Sequence, residues 1–334
     1  MRLATYNVEW FAALFDEADQ LQRDTGLSRR HGVDRATQIE ALSRVFAALD
    51  ADGIMVIEAP DTNRRQHSVR ALERFADAAG LRARRAITGF ANDTQQEITF
   101  LYDPAVLDAD HTPGDSTAAP RFDQTFHIDL DIDAQMDAVR FSKPPLELSV
   151  TLRSGGQLHL IGAHLKSKAP HGARTPDAVT SLSIANRRKQ LAQAIWLRRR
   201  VSERLAAGEE VIVLGDLNDG PGLDQYEQLF NRSSVEIIMD QDLYDPHAQS
   251  SLAPRLRGLP STARFFNSQT QRYFNALLDY IMVSPGLRQG QPRWRIWHPF
   301  EDAACYDDPV LREALLQASD HFPVTLDFTP ERGA

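Results

Sequence analysis

The feature that most constrains this chain is a series of short, continuous apolar runs that end in, or closely adjoin, chemically reactive side chains. Ile54-Met55-Val56-Ile57 leads into Glu58, Leu158–Gly162 into His164 and Lys166, and Val211–Leu214 into Gly215-Asp216-Leu217-Asn218. Asp279 lies inside the run 276–283, and Asp320-His321 precedes Phe322–Leu326. Unbroken runs of this length are typical of strands buried on both faces. Between them lie helix-period segments. Ile39, Leu42, Val45, Phe46 and Leu49 share one stripe of a helix over 34–50, with Asp34 as its N-cap. A second helix is expected over 66–79, stopped at Gly80, and a long one over 177–207. Further strands are expected at 2–8, 82–88, 96–102, 211–215, 235–239, 277–283, 293–298 and 322–328. A hairpin is expected from Leu146–Arg153 and Gln157–Leu165 around Ser154-Gly155-Gly156, and surface loops at 108–124 and 168–180. The alternation reads as an α/β fold. Length alone would allow two domains. With no repeat, low-complexity tract or Pro/Gly-rich linker, a single domain over 1–334 is the simpler reading.

Buried strands ending in charge raise the question of what neutralises that charge. A carboxylate in or beside such a strand costs several kcal/mol unless paired or bound to metal. Singly, each has an ordinary explanation. Glu58 could face water, Asp216-Leu217-Asn218 could be an Asx turn supported by Gly220-Pro221-Gly222, and His164 could be a satisfied core histidine. Lys166 could end a strand in solvent, Asp320-His321 could be a turn, and Asn7 could cap a strand. Asp279, in mid-run, is the hardest to explain away. Together they point to one shared site where several charges meet a cation.

Composition narrows the class. Apolar residues are 42% and charged residues 25% of 334, which excludes disorder as the dominant state. The net charge of -9 argues against holding nucleic acid by bulk charge, though not against gripping a few phosphates locally. Cys305 is the single cysteine, so neither an internal disulfide framework nor a Cys-cluster metal site is available. No run approaches the ~18 apolar residues of a membrane span. The N-terminus enters a strand pattern at once, without an export signal, so the reducing cytoplasm is the expected location.

The set Thr5-Tyr6-Asn7, Ile57-Glu58, Gly162-Ala163-His164-Leu165-Lys166-Ser167, Gly215-Asp216-Leu217-Asn218, Leu278-Asp279-Tyr280-Ile281 and Ser319-Asp320-His321-Phe322-Pro323-Val324 resembles the endonuclease/exonuclease/phosphatase superfamily. That superfamily includes exonuclease III-like and deoxyribonuclease-like metal-dependent phosphoesterases. The six motifs keep the family's order and span residues 5 to 324; Gln96–Pro104 is a less specific seventh. The resemblance implies a four-layer α/β/β/α sandwich, two mixed sheets packed face to face with helices outside. Periodicity alone would not separate this from a doubly wound sheet.

By the same resemblance, Glu58 is like the main Mg²⁺ ligand (Mn²⁺ being an alternative), Asp320 the second carboxylate and Asn7 the supporting amide. Asp216 resembles the base that orients and deprotonates water, with Asn218 beside it. His321 resembles the histidine facing the scissile phosphate, Asp279 the carboxylate holding its ring, and His164 a phosphate-bonding histidine. Lys166 and Arg187 are candidate substrate contacts. Three departures matter. Ala59-Pro60 is an unusual continuation after Glu58. The Trp-Cys-Asp-Arg signature of the inositol polyphosphate phosphatases is missing around Asp279, and the secreted sphingomyelinases' export signal is absent. His164-Leu165-Lys166-Ser167-Lys168 looks most like bacterial nuclease-like members.

The basic residues Arg187, Arg188, Lys189, Arg198, Arg199 and Arg200 on the long helix read either as a solvated face or as a phosphate stripe. Trp196 reads as core. The segment Arg264-Phe265-Phe266 to Arg272-Tyr273-Phe274 reads as a base-stacking surface or an apolar hairpin, and loop 168–180 as a lid or a plain connection. The function expected is Mg²⁺-dependent hydrolysis of a phosphodiester, with a nucleic acid as substrate. A phosphomonoesterase or small-diester enzyme is the runner-up, and a non-catalytic scaffold the rival from another class.

Overall fold

The computed structural model describes residues 1–130, 136–170, 172–173, 175–220, 232–252, 260–267 and 270–330. The chain runs β1 (Arg2–Asn7), α1 (Arg35–Leu49), β2 (Gly53–Ala59), α2 (Ser68–Ala79), β3 (Arg85–Thr88), β4 (Glu97–Tyr102), β5 (Leu107–His111), β6 (Phe126–Ile128) and β7 (Asp137–Val139). It continues through β8 (Leu146–Leu152), β9 (Gln157–His164), α3 (Pro176–Ala206), β10 (Val211–Asp216), α4 (Ser234–Met239), α5 (Pro246–Leu252), β11 (Ala263–Asn267) and β12 (Arg272–Ala276). It closes with β13 (Asp279–Val283), α6 (Pro285–Arg288), β14 (Arg293–Ile296), α7 (Ala303–Asp307), α8 (Pro309–Ala318) and β15 (Val324–Asp327).

Two mixed sheets dominate, in the orders β14-β15-β1-β2-β4-β3 and β13-β10-β9-β8-β5. Each holds one parallel pair, β1 with β2 and β9 with β10. The continuous apolar runs are explained by alternation. In β2, Ile54 and Val56 face α1, α2 and α8, while Met55 and Ile57 face the other sheet. In β10, Val211 and Val213 pack on α3 and α4, and Ile212 and Leu214 face inward. Both faces of each central strand are therefore dry, and the layers run helix, sheet, sheet, helix. Gly162 on β9 permits the sheets to approach: a Cβ there would sit 2.4 Å from Met55 Sδ across the interface. No helix among the described residues is long and apolar enough to cross a membrane.

Several expectations need correction. Residues 235–239 are not a strand but α4, whose capping box pairs Ser233 with Glu236. Apolar runs of five carry no period, so the cap is the better signal. The loop expected at 108–124 contains most of β5, paired with β8. Helices α7 and α8, started by Asp302 and Asp308 as N-caps, and the pair β6–β7 lack counterparts in the sequence reading. The strand expected at 277–283 begins at Asp279. In the loop expected at 168–180, helix α3 already starts at Pro176, and His171 and Arg174 lie outside the described residues, as do Pro221 and Gly222.

Candidate active site

Strand parity builds the site. The inward rows of β1 (Leu3), β9 (Leu158, Leu160), β10 (Ile212, Leu214) and β13 (Ile281, Val283) continue, at steps of two residues, to Asn7, His164, Asp216 and Asp279. The parallel pairs both end at this edge. Antiparallel β13 starts here, with Asp279 directly opposite Asp216. Antiparallel β15 begins at the same edge of the other sheet, three residues after His321. Two contacts then join the sheets: Asn7 Nδ2 donates to Asp216 Oδ2 at 3.0 Å, and His321 Nδ1 pairs with Asp279 Oδ2 at 2.7 Å.

Glu58 reaches the site differently. Parity would turn it outward with Ile54 and Val56. Instead the register between β2 and β4 shifts across Ile57/Ala59, and Glu58 takes φ +59°. This bulge, just before Pro60, re-aims a side chain that regular pleating would lose. Trp10 N (3.4 Å) and Gln96 Nε2 (2.6 Å) both donate to Oε2 of Glu58, which leaves Oε1 without a hydrogen bond among the described residues. At the other turn, Gly215 has φ +141°, and a Cβ there would strike Ala163 O at 2.0 Å, so the strand end beside Asp216 requires glycine. Asn218, at φ +50°, donates its backbone N–H to Asp216 Oδ1 at 2.7 Å and its amide to Leu165 O at 3.1 Å.

The electrostatics divide the groups. Burial pushes the Asp216 carboxyl up to about 7, with Asp279 adding to the effect against His321, Asn218 and Asn7. Burial would depress the His321 ring, but Asp279, with Asp216 and Asp320, holds it well above its ordinary value, so it is an imidazolium at neutral pH. Its Nε2 lies 4.0 Å from Asp216 Oδ2. Burial, then Lys143 and His321, drive His164 well below its ordinary value, making it a neutral ring. His164 Nε2 lies 3.3 Å from Lys143 Nζ and 3.6 Å from Asp216 Oδ2. Burial raises Glu58, with Lys143 and His321 opposing and Asp320 adding. Two residues past Asn7, burial and Asp320 raise Glu9 to about 7 against Arg30.

Sequence reasoning missed Glu9, Lys143 and Thr262, and had Gln96 only as the first residue of the less specific motif Gln96–Pro104. Glu9 was detectable by its step of two from Asn7. Thr262 has no sequence signal: its Oγ1 donates to Asp279 Oδ2 at 2.8 Å while accepting from the backbone of Leu278 and Asp279. Ser319, already in a family-like motif, donates to Asn7 O at 2.8 Å and accepts from Glu9 N and His321 N. It thereby ties β1 to the His321 turn. Lys166 lies at the rim, its backbone N–H donated to Gln193 Oε1.

The reading of Arg187 as a substrate contact is corrected. It is 1% exposed and pairs with Asp219 Oδ2 at 2.7 Å while also bonding Gln190 and Ser234. From there it braces the turn after Asp216 from behind. Most of the basic run of α3 is neither solvated face nor free stripe, although Arg199 is exposed and Lys189 makes no ion pair among the described residues. Arg200 is buried on Glu147 and Glu203, Arg188 pairs with Asp137 and Arg198 with Asp242. Trp196 is core, ringed by Phe122, Phe126 and Phe141. The segment around 264–274 does form a hairpin, β11–β12, with residues 268–269 outside the description. Phe265 sets its ring against the edge of His321 at 5.4 Å, while Tyr273 and Phe274 are exposed.

The donors fit a hard divalent cation on one side of the cleft. Asn7 Oδ1 is buried with no hydrogen bond, Glu58 Oε1 is unbonded among the described residues, and Asp320 is close enough to perturb both Glu58 and Glu9. All are oxygen ligands. The tightest grouping is elsewhere. Among the described residues, ligand atoms of Asp216, Asp279 and His321 lie within 4.8 Å of one another, a set that excludes Glu58 and Asp320. Because Asp279 holds His321 protonated, that set works better as a hydrogen-bonded relay than as a ligand shell.

Two facing mixed sheets with an oxygen-rich, imidazolium-bearing cleft at their shared edge define a hydrolase for anionic esters. The sequence pattern of the Endonuclease/Exonuclease/phosphatase family matches residues 4–321, and the chain belongs to this family of divalent-metal-dependent phosphoesterases. No curated protein sequence matches it significantly. Among solved structures it is similar to truncated TDP2 of Caenorhabditis elegans, at 14% identity and a TM-score of 0.53 over 98% of this chain and 97% of that one. It is also similar to the 3' phosphatase NExo from Neisseria bound to a product DNA hairpin, at 13% identity and a TM-score of 0.52 over 98% and 99%. A protein of this family from Bacteroides thetaiotaomicron gives 14% identity and a TM-score of 0.51 over 98% and 96%. At these identities the likeness speaks for the fold.

Proposed function

We propose that the chain is a Mg²⁺-dependent phosphodiesterase whose substrate is a nucleic acid, with the whole activity in one unit of residues 1–334. The observation that carries this is the meeting of Asp216, Asn7, His321 and Asp279 across two sheets. Asp216, with a carboxyl near 7, is matched to taking a proton from an attacking water near neutral pH. Asn218 and Asn7 orient its two oxygens. His321, held by Asp279, presents a charged N–H where negative charge grows on the phosphorus oxygens; such a group contributes ~10²–10³ in rate. His164 and Lys143, 3.3 Å apart, face the same phosphate. Asn7, Glu58 and Asp320 would hold Mg²⁺, which when bound neutralises a phosphate oxygen and the departing alkoxide.

The nucleic-acid reading is supported by the DNA products in the NExo structure and in that of Danio rerio TDP2, and by the aromatic hairpin against His321. The neighbour described as a 3' phosphatase favours, as second reading, a phosphomonoesterase. A cytoplasmic setting belongs to the same proposal, in keeping with the free, buried Cys305.

The test is a substrate panel of plasmid, single-stranded DNA, RNA, and nitrophenyl phosphate mono- and diesters, with Mg²⁺, Mn²⁺ or EDTA. Metal-dependent cleavage of nucleic acid that His321→Ala abolishes supports the proposal. Turnover of monoesters alone moves the assignment to the phosphatase. Absence of both turnover and calorimetric metal binding would leave a scaffold.

A further inference from the structure

Three lysines beside the cleft stand apart from the other cations of this face. Lys143 Nζ is 3.3 Å from His164 Nε2. Lys166 follows β9 by two residues, and Lys189 lies on α3; all three are half-buried. One buried side chain pins their elements together. Gln193 accepts from Lys166 N at 2.9 Å and donates to Arg140 O at 3.2 Å, three residues before Lys143. Gln193 is also one helical turn beyond Lys189, on the same face of α3. Of the surrounding cations, Arg187 and Lys168 pair with Asp219, Arg188 with Asp137 and Arg198 with Asp242, while Arg140 bonds the Thr125 hydroxyl. Among the described residues, Lys143, Lys166 and Lys189 make no ion pair.

Unpaired like charges held together are unusual in a chain of net charge -9. Their order follows from the contacts just given: Lys143 touches His164 of the centre, Lys166 lies two residues beyond His164 and is tied to Gln193, and Lys189 lies a helical turn before Gln193. Burial depresses Lys143, which Glu58 and Asp216 oppose and Lys166 reinforces. Burial, then Lys166, depresses Lys189. These shifts agree with the order Lys143 at the catalytic centre, Lys166 next and Lys189 outermost. Glu58 and Asp216 ease the repulsion at the inner end of this row; farther out it is eased by anions that lie on it. A single phosphoester brings one anion to the centre, whereas a row of cations leading outward matches a row of phosphates.

We propose that Lys143, Lys166 and Lys189 form a track for successive phosphates of one polynucleotide strand, with Lys189 taking a phosphate beyond the scissile one. This rests on the phosphodiesterase reading and names its substrate class: a polymer rather than a small ester.

The test compares wild type, Lys189→Gln and Lys189→Arg. Binding of fluorescent single-stranded DNA and RNA of about 12 nucleotides is measured in EDTA across a salt series. Turnover of the same strands and of bis(p-nitrophenyl) phosphate is measured with Mg²⁺. Each phosphate contact on a single strand contributes about 0.7 to the salt slope. Lys189→Gln is expected to weaken strand binding several-fold, flatten the slope by about 0.7, and lower the ratio of strand to diester kcat/KM. Lys189→Arg is expected to restore all three. A Lys189→Gln protein with wild-type strand affinity and slope overturns the track while leaving the phosphodiesterase intact, provided the diester is turned over. If wild type turns over neither strand nor diester, the underlying reading falls and the track with it.

Discussion

Single side chains here are set by what sits behind them. Asp279 holds His321 and is itself held by Thr262. Asp279→Asn keeps the shape and loses the charge, so kcat should fall by ~10²-fold while KM changes little; steady-state kinetics on the preferred ester check this. His298, 2% exposed, gives a prediction away from the site. Its Nδ1 accepts from Phe300 N and Glu301 N, and burial with Arg264 pushes the ring down to about 4, against about 6.5 in an unfolded chain. Between these values the unfolded state binds more protons. The contribution of His298 to stability should therefore climb as pH rises from about 4 to about 6.5 and stay level above that. The full effect is roughly 3 kcal/mol at about 1.4 kcal/mol per unit. In denaturant melts the stability of wild type relative to His298→Gln should increase across that window, and a difference that does not change with pH would count against the assignment.

At the level of elements, the bulge in β2 trades stability for aim. Glu58 sits in a left-handed conformation that costs a non-glycine residue roughly 1–2 kcal/mol. Glu58→Gly should raise metal-free stability by about 1 kcal/mol in urea melts and abolish calorimetric metal binding; unchanged metal affinity would remove Glu58 from the ligand set. Helix α3 makes the converse point. Arg187→Met removes one cation from Asp219, which is 0% exposed and keeps Lys168 at 2.9 Å, and should cost about 1.5–3 kcal/mol, while pairing it with Asp219→Asn should recover part of the loss. Much of this scale was legible in sequence. The runs at 54–57 and 211–214 announced two-sided burial, and Asp34 marked the start of α1 as its N-cap. What stayed hidden had physical causes. Helix α3 buries Arg187, Gln190, Gln193 and Arg200 to brace strand ends, so its polar residues point inward and charge patterning misleads. The run Val235–Met239 is too short to show a period. Asp216, Asp279 and His321 could be named because buried charge at strand ends is rare, whereas Lys143 and Thr262 act from connecting segments that carry no pattern.

For the whole molecule, the interface between the sheets matters most. Met55 rests where Gly162 has no side chain, so Gly162→Val must displace the Met55 thioether and crowd the interface between the sheets. It should cost roughly 1–3 kcal/mol and lower activity at temperatures where the protein remains folded; circular dichroism beside kinetics separates the two effects. Each sheet carries half of the apparatus, and Asn7 meets Asp216 across 209 positions of sequence. A chain emerging from the ribosome therefore holds no competent centre until its final strand has docked, and no proteolytic fragment bearing one sheet inherits one. Completion of folding is itself the safety catch on a hydrolytic enzyme.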